Sequence, residues 1–120
     1  MTSAEKKDLQ QIGVTSLARE TFESGSIRPY FAELGDFIKF SICVAIHFHL
    51  APAKALTGDK FETSQETARW DSNNAIRTIV GSYKNTDMPY RLSQELAEAG
   101  FQKIKNLLDS GGALDDLLGD

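Results

Sequence analysis

One run of residues constrains this chain more than any other: "IKFSICVAIHFHL", Ile38 to Leu50. Its even positions are all apolar, namely Ile38, Phe40, Ile42, Val44, Ile46, Phe48 and Leu50. Lys39, Ser41, Cys43, Ala45, His47 and His49 fill the odd ones. Strict alternation is the signature of a half-buried strand, and a strand would place both histidines on one face. Two physical arguments oppose it. At ~3.3 Å per residue the run would extend roughly 43 Å, more than the width of a domain whose radius of gyration is about 13–14 Å. As a helix it spans about 20 Å. A strand must also satisfy its backbone groups with a neighbour. No second convincing alternating run is present, since "TIVGSY" and "RETF" are short and sit in helical contexts. The run is therefore expected to be a buried helix, with Asp36 as its N-cap or first-turn carboxylate. At 100° per residue, Asp36, Lys39, Cys43 and His47 then share one sector.

The remainder reads as helices joined by turns. Leu9, Ile12, Leu17, Ala18 and Phe22 fit helical spacing loosely, because Gly13, Val14 and Thr15 interrupt it. A helix is expected from about Ser16 to Glu23, ended by Ser24, Gly25 and Ser26, with Pro29 in the first turn of the next element. "APAKALTGDKFETSQET" reads as a connector with a short helical turn. Asp71 or Ser72 is expected to cap a helix through Tyr83, and Asp87 one that begins at Pro89 and runs to about Leu108. Gly111 or Gly112 is the expected left-handed cap of that long helix. "ALDDLLGD" is expected to form a last apolar turn through Leu114, Leu117 and Leu118.

A net charge of −4 disfavours a stand-alone nucleic-acid binder, for which a basic excess is usual. Nucleic acid is kept as a partner of lower rank. The single cysteine, Cys43, excludes a disulfide within one chain and points to a reducing, cytoplasmic setting. The first residues lack a signal-peptide core, and the run before Leu50 is too short and too interrupted to span a bilayer, so no membrane partner is expected.

Few residues suggest chemistry. On a strand, His47 and His49 could share a metal ion; on a helix they point about 200° apart and cannot. Neither Asp59, Glu62 nor Cys43 stands at a recognisable ligand spacing from them. Cys43 lacks a local base that would activate it. Catalytic, cofactor-binding and metal-binding residues are all expected to be none. Arg69, Arg77, Lys84 and Arg91, with Trp70 and Tyr83 among them, form the candidate anion-facing patch, because arginines beside aromatic rings can stack on bases. Trp70 is otherwise expected to be a core anchor whose ring N–H meets a carbonyl. Ala97 and Gly100, three apart in "LAEAG", permit close approach of another helix, within the chain or at an oligomer seam.

Two segments carry a family resemblance. "FESGSIRPYFAELGDFIKFSICVAIHFHL" resembles the short "F…Y…FA.A.G" helical segment of small accessory proteins associated with bacterial DNA phosphorothioation (sulfur-modification) and related phage-defence loci. "LAEAGFQKIKNLLDSGGALDDLL" is similar to their closing "A..G…I…L" helix and acidic Leu-rich end. Together they cover less than half of the chain. Where that family shows a Gly after its apolar helix, this chain has "HFHLAP". The resemblance implies a small helical protein without known catalytic residues.

The expectation is an all-α, single compact domain over residues 1–120, of four or five helices around a central apolar helix near residues 36–50, with 1–8 and 119–120 frayed. Its expected role is a non-enzymatic interaction or accessory protein, working as a homo-oligomer or with a protein partner. The alternative is a DNA-binding protein using Arg69, Arg77, Lys84 and Arg91, and a third reading a metalloprotein using His47 and His49.

Overall fold

The chain from Ile38 to His47 is helical in the computed structural model, which describes residues 8–53 and 63–118. This helix, α2 (Leu34–His47), buries Phe37, Ile38, Ser41, Ile42, Val44 and Ala45, a 3.6-residue pattern. Asp36, Cys43 and His47 face solvent, as the helical sectors require, and Asp36 lies in the first turn. The alternation in the sequence arises because Phe40, Ile46 and Leu50 are apolar yet only half buried.

The described residues contain six α-helices, of which two are single turns, and the protein is a compact, mostly helical domain. Before α2 come a strand β1 (Gln11–Val14), helix α1 (Ser16–Phe22) and a 3-10 turn at Arg28–Tyr30 with Pro29 at its start. After it come strand β2 (Thr63–Glu66), the single turn α3 (Thr67–Trp70), α4 (Ala75–Lys84), α5 (Pro89–Asp109) and the turn α6 (Asp115–Leu118). The α2 and α5 helices form the principal packing pair, and α5 also touches α1, α4 and β1.

The two strands were not expected. Gly13 and Val14, which interrupt the loose helical spacing from Leu9, belong to β1, and the helix expected from Ser16 is α1; the connector ends in β2, and the stretch 54–62 where a helical turn was expected lies outside the described residues. They pair antiparallel, Gln11 opposite Glu66 and Val14 opposite Thr63. The β-branched Ile12 and Val14 point into the core, each 1% exposed, while Gln11 faces water. On β1's outer edge the Gly13 N–H donates to Gln94 Oε1 at 2.7 Å, so α5 covers that backbone. Thr67 closes the ribbon's end, its N–H and hydroxyl both donating to the Gln10 carbonyl at 2.9 and 3.0 Å.

Helix ends follow local chemistry in several places. Thr15 caps α1, accepting from the Ala18 N–H at 3.3 Å and donating to the buried Glu98 carboxylate at 3.1 Å. Gly111, at φ +88°, ends α5 in a Schellman turn: Gly112 N–H reaches Leu107 O at 2.9 Å and Gly111 N–H reaches Leu108 O at 3.0 Å. The same motif ends α2, with Leu50 N–H on Ala45 O at 2.8 Å and His49 N–H on Ile46 O at 3.2 Å. There the left-handed position, φ +54°, is held by His49. Leu114 and Leu117 are buried, as the closing apolar turn requires.

The core is aromatic at one end. Phe37 is fully buried and its ring lies 5.5 Å from that of Phe101, 5.6 Å from Phe31 and 5.8 Å from Phe22. Nearby, α2 and α5 cross at Gly100. A Cβ there would overlap the Ser41 carbonyl oxygen and stand 2.7 Å from the carbonyl carbon. The small residues of "LAEAG" therefore serve packing within the chain. The expected fraying of residues 1–7 and 119–120 lies outside the described residues, as do Asp59 and Glu62; Asp8 does not.

Candidate functional site

The residues singled out by the sequence fall in separate places. His47 is the last residue of α2 and its ring stands edge-on to Phe48, 4.7 Å away. His49, two residues on in the left-handed turn, has its ring 6.5 Å from that of Tyr83. The helical reading thus holds, and the two imidazoles have different neighbours. Among the described residues no group of three or more His, Cys, Asp and Glu side chains gathers as a metal site would need. Cys43 lies on the solvent side of α2, and partial desolvation of its sulfur pushes the thiol pKa above its ordinary value. That is opposite to what activates a nucleophilic cysteine.

The four cations are exposed but divided. Arg69 on α3 stands 4.0 Å from Glu66, one helical turn back. It shares a cleft of about 290 Å³ with Glu33, Asp36, Lys39 and Trp70. Arg77 and Lys84 lie along one side of α4, about 10 Å apart along its axis. Arg91 is in the first turn of α5. Trp70 is 7% exposed and its ring N–H donates to the Gly35 carbonyl at 3.0 Å. It is the expected core anchor, and it offers no free ring face for a base.

The N-termini of α4 and α5 would be natural anion sites, but the chain's own carboxylates occupy both. Asp71, 1% exposed, accepts from the Ile76 N–H at 2.9 Å, the Arg77 N–H at 3.0 Å and the Tyr90 hydroxyl at 2.8 Å. It closes α4 across a short loop whose Asn74 takes the left-handed conformation. Asp8 accepts from the Tyr90 and Arg91 N–H groups at 2.8 Å each and so caps α5 from 82 residues away. Asp87, the expected cap, makes no such bond: the residue at the cap position is Met88, and its side chain does not cap. Tyr90 joins the two carboxylates. Its pKa is pushed up to about 12, first by burial, then by the hydrogen bond and charge of Asp71, with Arg77 opposing.

Among the described residues, one edge of α4 carries apolar side chains that the fold leaves uncovered. Ala75, Ile79 and Tyr83 recur at four-residue spacing, which aligns them along that edge. Ala75 is exposed, Ile79 is 44% exposed and Tyr83 is half buried. Ile76 and Val80 bury the adjoining face against the core. His49 extends the stripe beyond Tyr83, and the Lys84 ammonium lies 5.0 Å from the Tyr83 ring centre. The other large exposed apolar side chains, Tyr30 and Phe48, lie apart from this edge on other elements. Phe48 carries the Lys103 ammonium 4.5 Å from its ring centre, and Tyr30 has a polar hydroxyl on the 3-10 turn. An open groove of about 540 Å³ lies between residues 50–53 and the second half of α5, floored by Leu50, Ala53, Ala99 and Leu107.

No helix among the described residues is long and apolar enough to cross a membrane. Comparison with protein-family models, with curated proteins and with solved structures finds no match to this chain.

Proposed function

We propose that this chain is a non-enzymatic helical interaction protein that works as a homo-oligomer or as a subunit with a larger protein partner. The observation that carries the reading is the uncovered edge of α4. Single exposed apolar residues are ordinary. Ile79 differs because it continues into Ala75, Tyr83 and His49, beside a face of the same helix that Ile76 and Val80 bury. A role as an accessory subunit in a bacterial DNA-modification or phage-defence system is part of the proposal, and rests on the sequence resemblance alone. A cytoplasmic setting fits the single cysteine.

The test is the size of the untagged chain in solution, by sedimentation over a range of concentrations, together with pull-down from its host. Ile79→Asp should cost about 1 kcal/mol, since Ile79 is 44% exposed and gives up about half of a buried side chain's contribution, should leave the chain folded, and should abolish association. A strict monomer that captures no partner overturns the reading. Association that survives Ile79→Asp moves it away from α4.

A second reading is direct DNA binding, favoured by the exposure of Arg69, Arg77, Lys84 and Arg91. It predicts affinity that falls steeply with salt. The two occupied helix ends and the buried Trp70 weigh against it. Absence of a shift with single-stranded, double-stranded and nicked DNA at low salt would remove it.

A further inference from the structure

No further inference is drawn: the strongest candidate, the cleft of about 290 Å³ between the start of α2, β2 and α3, rests on a helix N-terminus and exposed carboxylates, and among the described residues no buried side-chain polar atom without a partner marks a ligand there.

Discussion

Replacing Gly100 by Ala adds a single methyl group where α2 and α5 cross. Its carbon would overlap the Ser41 carbonyl oxygen and stand 2.7 Å from the carbonyl carbon and 3.0 Å from Ser41 Cα. Carbon atoms in van der Waals contact sit about 3.5–4.0 Å apart, so the helices must separate by about 1 Å. A gap of that size forfeits roughly a quarter to a half of each dispersion contact across the seam. That seam holds Phe37, Ile38, Ile42, Leu96, Ala97, Phe101 and Ile104, all nearly buried. Overpacking of this kind costs about 1–3 kcal/mol and occasionally more. The better helix propensity of Ala returns about 1 kcal/mol. A backbone obstacle cannot rotate away, so the expected net loss is about 2 kcal/mol, large against a total stability of about 5–15 kcal/mol. Gly81 provides the control, because a Cβ there meets nothing within 4 Å. Gly81→Ala should stabilise by about 0.5–1 kcal/mol through propensity alone. Urea unfolding followed by circular dichroism measures both, with the slope unchanged if the transition stays two-state. The packing argument fails if Gly100→Ala matches the wild type, or if the two substitutions shift stability in the same direction.

Other sites give equally direct tests. Asp8→Ala should cost about 1 kcal/mol by uncapping α5, with faster amide exchange at Tyr90 and Arg91; unchanged exchange there would refute the cap. Tyr90→Phe removes one hydrogen bond to a buried carboxylate and should cost about 1 kcal/mol at neutral pH. Since Tyr90 ionises near pH 12 when folded and near 10 when unfolded, the unfolded chain loses its proton first and stability falls as pH rises between those values. In Tyr90→Phe that alkaline loss should be shallower, and a denaturation series over this range would show an undiminished loss if the reasoning is wrong. His49→Gly should stabilise by about 0.5–1 kcal/mol, because only glycine takes the left-handed position without steric cost. His49→Ala keeps that cost, so equal melting temperatures for the two variants would count against the strain.

Much of the helical framework was legible from the sequence because its determinants are local. Asp71 lies just before the helix it caps, Pro89 opens α5 in its first turn, and Gly111 follows the last apolar residues of α5. For Ile38–Leu50 the lack of a second alternating run to pair with outweighs its own alternation. What could not be read depends on partners far along the chain. Gln11–Val14 is a strand because Thr63–Glu66 lies beside it and Gln94 covers its other edge. Asp8 is ordered by amides 82 and 83 residues away, and no residue near it signals this. The α4 edge was missed for a different reason. Ile79 and Tyr83 look like core positions in the sequence, and only the packing of α4 on α5 shows which of its apolar residues stay outside.

The antiparallel ribbon also bears on how the chain matures during synthesis. Ile12 and Val14 leave the ribosome well before the strand that pairs with theirs. At about 5–20 residues per second, the roughly fifty residues separating Val14 from Thr63 keep β1 waiting for seconds, and the amides that receive Asp8 arrive later still. Through that interval two side chains that end almost fully buried have no strand to pair with. Helices α1 and α2 can form during the wait, but their docking onto α5 must follow. The segment from Asp8 to Val14 is thus made well before the residues that secure it.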